Sequence, residues 1–304
     1  MNGVVVIDKP QGFTSHDVVN RVRRILHEKS VGHLGTLDPM ATGVLPLVVG
    51  NLTRLAQFYI GAQKTYEGVI RFGFATDTYD AEGEATSTPQ SVVLSLDQIR
   101  GLASQFCGLI EQVPPPFSAK KIHGVPAYKL ARQRKEVSLE PAQVEIKELE
   151  ITSVVEDRAT FRARVASGTY LRSLAHDMGA KLGCGAHLDA LRRTSVGEFL
   201  LEDAYVLEAV DAASSAGEME TVLIHPRKLL PEFPAVTATD EAVAHIRNGR
   251  TINLPEFSRA RQVRVFHGQH DLIAIVTRIA GTLFHPKIVL SVSTSQSLQH
   301  SHNT

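Results

Sequence analysis

One carboxylate, Asp38, sits in the segment Gly32-His33-Leu34-Gly35-Thr36-Leu37-Asp38-Pro39-Met40-Ala41-Thr42-Gly43-Val44-Leu45-Pro46-Leu47, among glycines, prolines and apolar residues. Glycine lets backbone approach a ligand closely, and Pro39 stiffens the turn that carries Asp38. The apolar flanks predict partial burial of the carboxylate, which then needs a cationic or hydrogen-bonding partner to stay ionised. A carboxylate so held can attack and later leave. The plain alternative is an Asx-turn at Asp-Pro with no chemistry. A second feature is cationic: Lys120, Lys121, Lys129, Arg132, Arg134 and Lys135 lie between Pro115 and Lys135, with no acidic residue among them. Such a run grips phosphates or is a solvated face.

Other chemistries find little support. Cys107 and Cys184 are too few for a disulfide framework and wrongly spaced for a zinc site. The 13 histidines make chance pairings easy, yet no G-x-S-x-G or H-E-x-x-H is present, so a hydrolase reading is rejected. Lys plus Arg and Asp plus Glu both total 32, so any grip on nucleic acid must be local. No run of 18 apolar residues suggests a membrane span, and the N-terminus reads as a strand rather than a signal peptide. These features predict a cytoplasmic protein.

At 304 residues the chain is about two domains long. Val4 to Ile7 is a β-branched run ended by Asp8-Lys9-Pro10-Gln11-Gly12. Ser15 is expected to cap a helix carrying Val18, Val19, Val22, Ile25 and Leu26. Gly32 to Gly50 reads as a loop leading into a buried segment, and Thr65 to Phe74 as a strand before an acidic turn. Ser95-Leu96-Asp97-Gln98 opens a helix towards Phe106. Val144–Val155 and Ala159–Ala166 read as paired strands, and Thr169–Leu182 as a helix. Ser214, Ser215 and Gly217 loosen the chain before Gln262–Phe266, Leu272–Thr277 and Leu283–Leu290, the strands of a small β-rich unit. The polar tail, 291–304, is expected to be disordered. The fold class is α+β, a mixed-sheet domain followed by a small β-barrel-like one.

The Asp38 segment follows G-H-x-G-x-L-D-P-x-A-x-G-x-L and resembles the signature of the TruB family of tRNA pseudouridine synthases. Other segments resemble that family's motifs in the same order: Asp8-Lys9-Pro10-Gln11-Gly12, Lys64-Thr65-Tyr66-Glu67, and Thr76-Asp77-Thr78-Tyr79-Asp80. Gln112 to Lys121, Ser167 to Leu174, and Gly183 to Leu188 with Leu191-Arg192-Arg193 complete the set. The resemblance implies a catalytic domain at 1–225 with an RNA-binding insertion at about 114–140, then a PUA-like RNA-binding domain at 226–290. It implies Asp38 as nucleophile, Arg172 as its partner, and Tyr66, Tyr170 and Leu191 around the base. His33 would enter the RNA loop and keep the base extruded. Lys121, Arg132 and Arg134 would contact the RNA backbone, and Lys9 and Pro10 would buttress the site. Without the resemblance, Tyr66, Tyr170 and Leu191 are ordinary core residues.

The implied reaction isomerises the T-arm uridine of tRNA (uridine-55): an N-glycosidic bond breaks and the uracil rejoins its sugar through C5. It exchanges no electrons and transfers no group, so no cofactor or metal is expected. A paired base cannot reach Asp38 without leaving its stack. Whether Asp38 attacks the sugar, attacks the ring or forms a glycal stays open. A monomer acting without a protein partner, and possessing some tRNA-folding activity, fits the same resemblance. The rivals are a guide-RNA-dependent synthase, which the proline-rich insertion argues against, and a non-catalytic RNA-binding protein, which has no need of Asp38, Tyr66 and Arg172 together. Phe117, Lys120 and Arg134 depart from the family pattern, making the insertion more basic.

Overall fold

The computed structural model describes residues 1–290 except 119, 123 and 134–138, with backbone alone at 121, 122, 126 and 132. The chain opens with β1 (Gly3–Lys9), whose Val4, Val5, Val6 and Ile7 are fully buried. Helix α1 (Ser15–Ile25) follows, and Thr14 rather than Ser15 caps it. The Thr14 hydroxyl accepts from the Asp17 N–H while the Asp17 carboxylate accepts from the Thr14 N–H, a reciprocal capping box. Ser15 is thereby free for another task, described below.

The Gly-rich stretch expected as a loop contains two strands, β2 (Val31–His33) and β3 (Thr42–Val49), with the Asp38 loop between them. Apolar alternation in so short a run is masked because β3 is buried on both faces. Helix α2 (Ala56–Tyr59), β4 (Lys64–Phe72) and α3 (Leu96–Ser104) come next, then β5 (Gly108–Gln112). The insertion carries a short hairpin, β6 (Lys121–Ile122) with β7 (Val125–Pro126), and α4 (Ala127–Arg132). The expected strand pair is β8 (Ala142–Val155) and β9 (Arg158–Val165), antiparallel to each other. Helix α5 (Leu171–Leu182), β10 (Ala186–Val196), β11 (Phe199–Leu200), α6 (Leu207–Ala216) and β12 (Leu223–Ile224) complete this region.

These strands form one mixed sheet in the order β12-β1-β3-β10-β4-β9-β8-β5, with β2 on β3 and β11 on β10. Only the β3–β10 pair is parallel, and that junction lies directly behind the Asp38 loop. Gly43 makes it possible: its φ is +100°, and a Cβ there would stand 2.2 Å from the Arg193 carbonyl oxygen. The segment expected to loosen at Ser214 and Ser215 is instead the last turn of α6. Gly217 ends that helix at φ +74°, and the Ser214 hydroxyl donates to the Ile25 carbonyl, tying α6 to α1.

A second sheet holds the C-terminal strands β13 (Ala235–Thr237), β14 (Ile252–Asn253), β15 (Gln262–His267), β16 (Asp271–Ala280) and β17 (Leu283–Val289), with α7 (Asp240–Arg247) against it. Its order is β13-β15-β16-β17-β14, a curled sheet compatible with a PUA-like module. Leu229, Leu230, Phe266, Ile275 and Leu290 share one core with Val4, Val44 and Val196 of the first sheet and with Leu55. The Tyr59 hydroxyl and the Leu230 N–H both donate to the Glu198 carboxylate, at 2.6 and 3.0 Å, across the same seam. The tail 291–304, expected as disordered, lies outside the described residues. Among the described residues no helix is long and apolar enough to cross a membrane.

Candidate active site

The Asp38 loop is held by its own carbonyls. Arg193, fully buried on β10, donates to the oxygens of Gly35 (3.1 Å), Thr36 (3.1 Å) and Val44 (2.7 Å). The Ser15 hydroxyl donates to Leu37 O and accepts from the Leu37 N–H at 2.8 Å. Lys9, also fully buried, donates to Pro39 O (3.2 Å), Phe13 O (2.6 Å) and Pro10 O (2.9 Å). The Asp38 carbonyl itself takes the Ala41 N–H. Every carbonyl from 35 to 39 is therefore engaged, so the Asp38 side chain projects from a fixed backbone.

That side chain faces Arg172 on the first turn of α5. The guanidinium makes a fork, Nε to Oδ2 at 2.9 Å and a terminal nitrogen to Oδ1 at 3.2 Å. Arg172 is itself immobilised: it donates to Thr78 O and Phe117 O, each at 3.0 Å, and approaches the Asp80 carboxylate at 3.5 Å. Its side chain is 6% exposed whereas that of Asp38 is 35% exposed. The cation is a fixture of the wall, and the carboxylate is open to a ligand. A planar fork suits this arrangement better than a lysine point charge.

Asp38 and Arg172 border a cavity of about 240 Å³. Tyr66, Tyr170 and Leu191 line it, along with Leu37, Lys64, Val165 and Arg193. Tyr66 and Lys64 stand two residues apart on β4, Leu191 and Arg193 two apart on β10, so period-two alternation aims all four to one face. Tyr170 is fixed through its backbone, since the buried Gln112 amide accepts from Tyr170 N–H and donates to Tyr170 O. Burial pushes the Tyr170 phenol above its ordinary pKa, with the Asp38 charge adding to the effect. Burial also lowers Lys9 and Lys64, each to about 8. An apolar floor, two ring faces and one fixed carboxylate can hold a flat heterocycle against a nucleophile.

Five expected residues, Asp38, Tyr66, Tyr170, Arg172 and Leu191, thus share one cavity. His33 does not line it: it sits half-buried on β2 opposite Leu47, and burial followed by the Arg193 charge lowers its pKa. Lys121 and Arg132 fall on β6 and α4 with only their backbone described, and Arg134 lies outside the described residues. Sequence reasoning assigned no role to Asp80, Arg193 or Gln112, and gave Ser15 only that of a helix cap. Asp80 was visible as the last residue of the Thr76–Asp80 segment in an acidic turn, whereas in space it is 4% exposed and beside Arg172. Among the described residues no group of three or more His, Cys, Asp or Glu could hold a metal ion.

A profile described as the TruB family pseudouridylate synthase N-terminal domain matches residues 23–171. One described as the tRNA pseudouridylate synthase B C-terminal domain matches 172–230. A Solibacter usitatus protein named tRNA pseudouridine synthase B is 46% identical over 95% of this chain and 100% of its own. The chain belongs to the TruB family of pseudouridylate synthases. The boundary between the two matched regions falls between Leu171 and Arg172, inside the cavity wall, so the TruB site is assembled from both. A Dehalococcoides mccartyi protein of the same name is 38% identical over 96% of this chain and 97% of its own. Among solved structures, an H/ACA RNP bound to a substrate RNA containing 2'-deoxyuridine is similar at a TM-score of 0.71 and 25% identity, covering 95% of this chain and 85% of that one. A Cbf5-Nop10-Gar1 complex matches at a TM-score of 0.69 and 26% identity, over 92% of this chain and 79% of that one.

Proposed function

We propose that this TruB-family protein isomerises a uridine in the T-arm loop of tRNA to pseudouridine, with Asp38 as its nucleophilic carboxylate. The observation that carries the assignment is the Asp38–Arg172 fork at the mouth of a cavity lined by Tyr66, Tyr170 and Leu191. Tyr66 and Tyr170 bracket the flipped uracil, Leu191 supports it, and Arg172 pairs with Asp38 and orients it. The N1–C1′ bond breaks, the base turns, C5 bonds to C1′, the C5 proton departs and N1 gains one. Product and substrate are isomers, and no cofactor enters the balance. His33 meets the RNA loop outside the cavity, and Lys121, Arg132 and Arg134 of the insertion contact its phosphates. Residues 1–225 act as the catalytic unit and 226–290 as a PUA-like RNA-binding unit. The enzyme works as a cytoplasmic monomer without a partner protein.

The likeness to an RNA–protein complex supplies the competing reading, dependence on a guide RNA. Names shared with relatives of 38–46% identity over nearly the whole chain favour tRNA as direct substrate. The two part in one assay. Purified protein should convert a single uridine in an isolated T-arm hairpin without added RNA, protein, metal or nucleotide. Conversion that starts only when a guide RNA or partner proteins are added defeats the stand-alone reading.

A further inference from the structure

Lys64 opens the Lys64-Thr65-Tyr66-Glu67 segment, yet the site as described gives it no task. It is 8% exposed, lines the cavity beside Tyr66, and its ammonium donates to one group, the Ala62 carbonyl at 2.7 Å. The neighbouring charge is a second cation, Arg193, whose three carbonyl bonds leave its charge uncompensated. Among the described residues neither side chain is in an ion pair. Gly35 brings them together: a Cβ there would stand 3.6 Å from the Lys64 Cε and 3.7 Å from an Arg193 terminal nitrogen. Burying two like charges at one cavity end costs stability unless something negative enters.

We propose that Lys64 is a further catalytic residue whose ammonium, backed by the Arg193 charge, binds a carbonyl oxygen of the flipped uracil and stabilises the negative charge the ring acquires in the reaction. This inference rests on the isomerase reading above. The chemistry asks for such a group whichever route Asp38 takes. If the carboxylate bonds to C1′, the N1–C1′ electron pair stays on uracil, which becomes an anion spread over N1, O2 and O4. If Asp38 instead takes the C2′ proton, the C2′–H pair forms the glycal double bond and the N1–C1′ pair again leaves with the ring. If it adds to C6, the C5–C6 π pair moves towards C4 and charge collects on O4. Each route balances without an added reagent, and each ends with the charge on the ring. A fixed cation in a water-poor cavity is the standard physical means of lowering that barrier. Phosphate binding is the weaker assignment, because Lys64 and Tyr66 share one face of β4 at the wall that holds the base.

The test uses the full chain and a T-arm hairpin in single-turnover assays. Removing one donor to a developing anion costs roughly 10²–10³ in rate, so Lys64→Met should slow turnover at least ~100-fold with hairpin affinity within about threefold of wild type. The loss should shrink at least ~threefold when the hairpin carries 5-fluorouridine, scored as consumption of that nucleotide, because fluorine disperses ring charge and the cation has less to stabilise. An unchanged rate for Lys64→Met, or an equal loss on both substrates, overturns the inference. So does weaker binding with a flatter salt slope, which marks a phosphate-gripping role. Should Lys64→Met not fold, Lys64→Arg decides through the shape of its pH profile. The wild-type rate should fall as the lysine loses its proton at alkaline pH, whereas the arginine variant keeps its charge and its rate; coincident profiles overturn the inference. A wild-type protein inactive on tRNA refutes the isomerase reading itself, a result distinct from any of these.

Discussion

The two ends of the cavity solve the problem of buried charge differently. At the mouth, Asp38 and Asp80 flank Arg172, so the cation is paired with carboxylates before any ligand arrives. At the far end, Lys64 and Arg193 stand together with backbone carbonyls as their partners and no carboxylate. Paired charges hold a geometry, and unpaired charges of one sign await a ligand of the other. On the proposals above, the mouth aims one carboxylate and the far end receives charge that develops on the ring.

The largest effect should come from breaking the mouth. Arg172→Lys keeps the charge and loses the fork, so single-turnover rates on a T-arm hairpin should fall by about 10² or more. A wild-type rate would mean that the fork is incidental to catalysis. Removing Arg193 alone should act mainly on stability. Arg193→Met strips hydrogen bonds from three backbone carbonyls, those of Gly35, Thr36 and Val44, and an unfolding free energy lower by roughly 2–4 kcal/mol is expected in urea titrations. A loss under about 0.5 kcal/mol would show that the Asp38 loop holds itself.

The mouth was far more legible in the sequence than the far end. Asp38, Tyr66, Tyr170, Arg172 and Leu191 stand in segments whose order resembles a known signature, and the geometry brings all five to one cavity. Arg193 and Asp80 stood in the same segments, but their roles depend on which backbone oxygens and guanidinium lie opposite them. A one-dimensional pattern carries no such information. Ser15 was misread for a related reason. Both Thr14 and Ser15 suit an N-cap, and only the position of Leu37 in space decides which is free to bind it. The C-terminal strands were readable from alternation, whereas α6 was not, because its Ser214 answers to Ile25 across a helix interface. His33 lies outside the cavity because β2 pairs with β3 in a register that turns it towards Leu47.

A subtler difference between the ends is electrostatic. Burial lowers Lys64 to about 8 from its ordinary 10.5, so the folded chain holds fewer protons than the unfolded one between those values. Stability therefore rises with pH across that window, as the cost of burying the charge is removed. Lys9 does the same and remains in a Lys64→Met variant. Urea midpoints at pH 8 and pH 10 should rise more in wild type than in Lys64→Met. Equal rises would mean that Lys64 is not strained by burial. The smallest effect is expected outside the cavity: neutralising Lys121, Arg132 and Arg134 together should weaken hairpin binding and flatten its salt dependence. The log–log slope should change by about 0.7 for each phosphate that is no longer neutralised, and an unchanged slope would make the run a solvated face.

The central claim is that Asp38 is the nucleophile of the proposed reaction, and Asp38→Asn tests it most directly. The change keeps the size and removes the charge. Pseudouridine formation in the T-arm hairpin should vanish, while tRNA affinity shifts by less than ~1 kcal/mol, under tenfold. Substantial residual turnover in Asp38→Asn, measured by single-turnover assay on the same preparation that binds tRNA normally, would contradict the assignment.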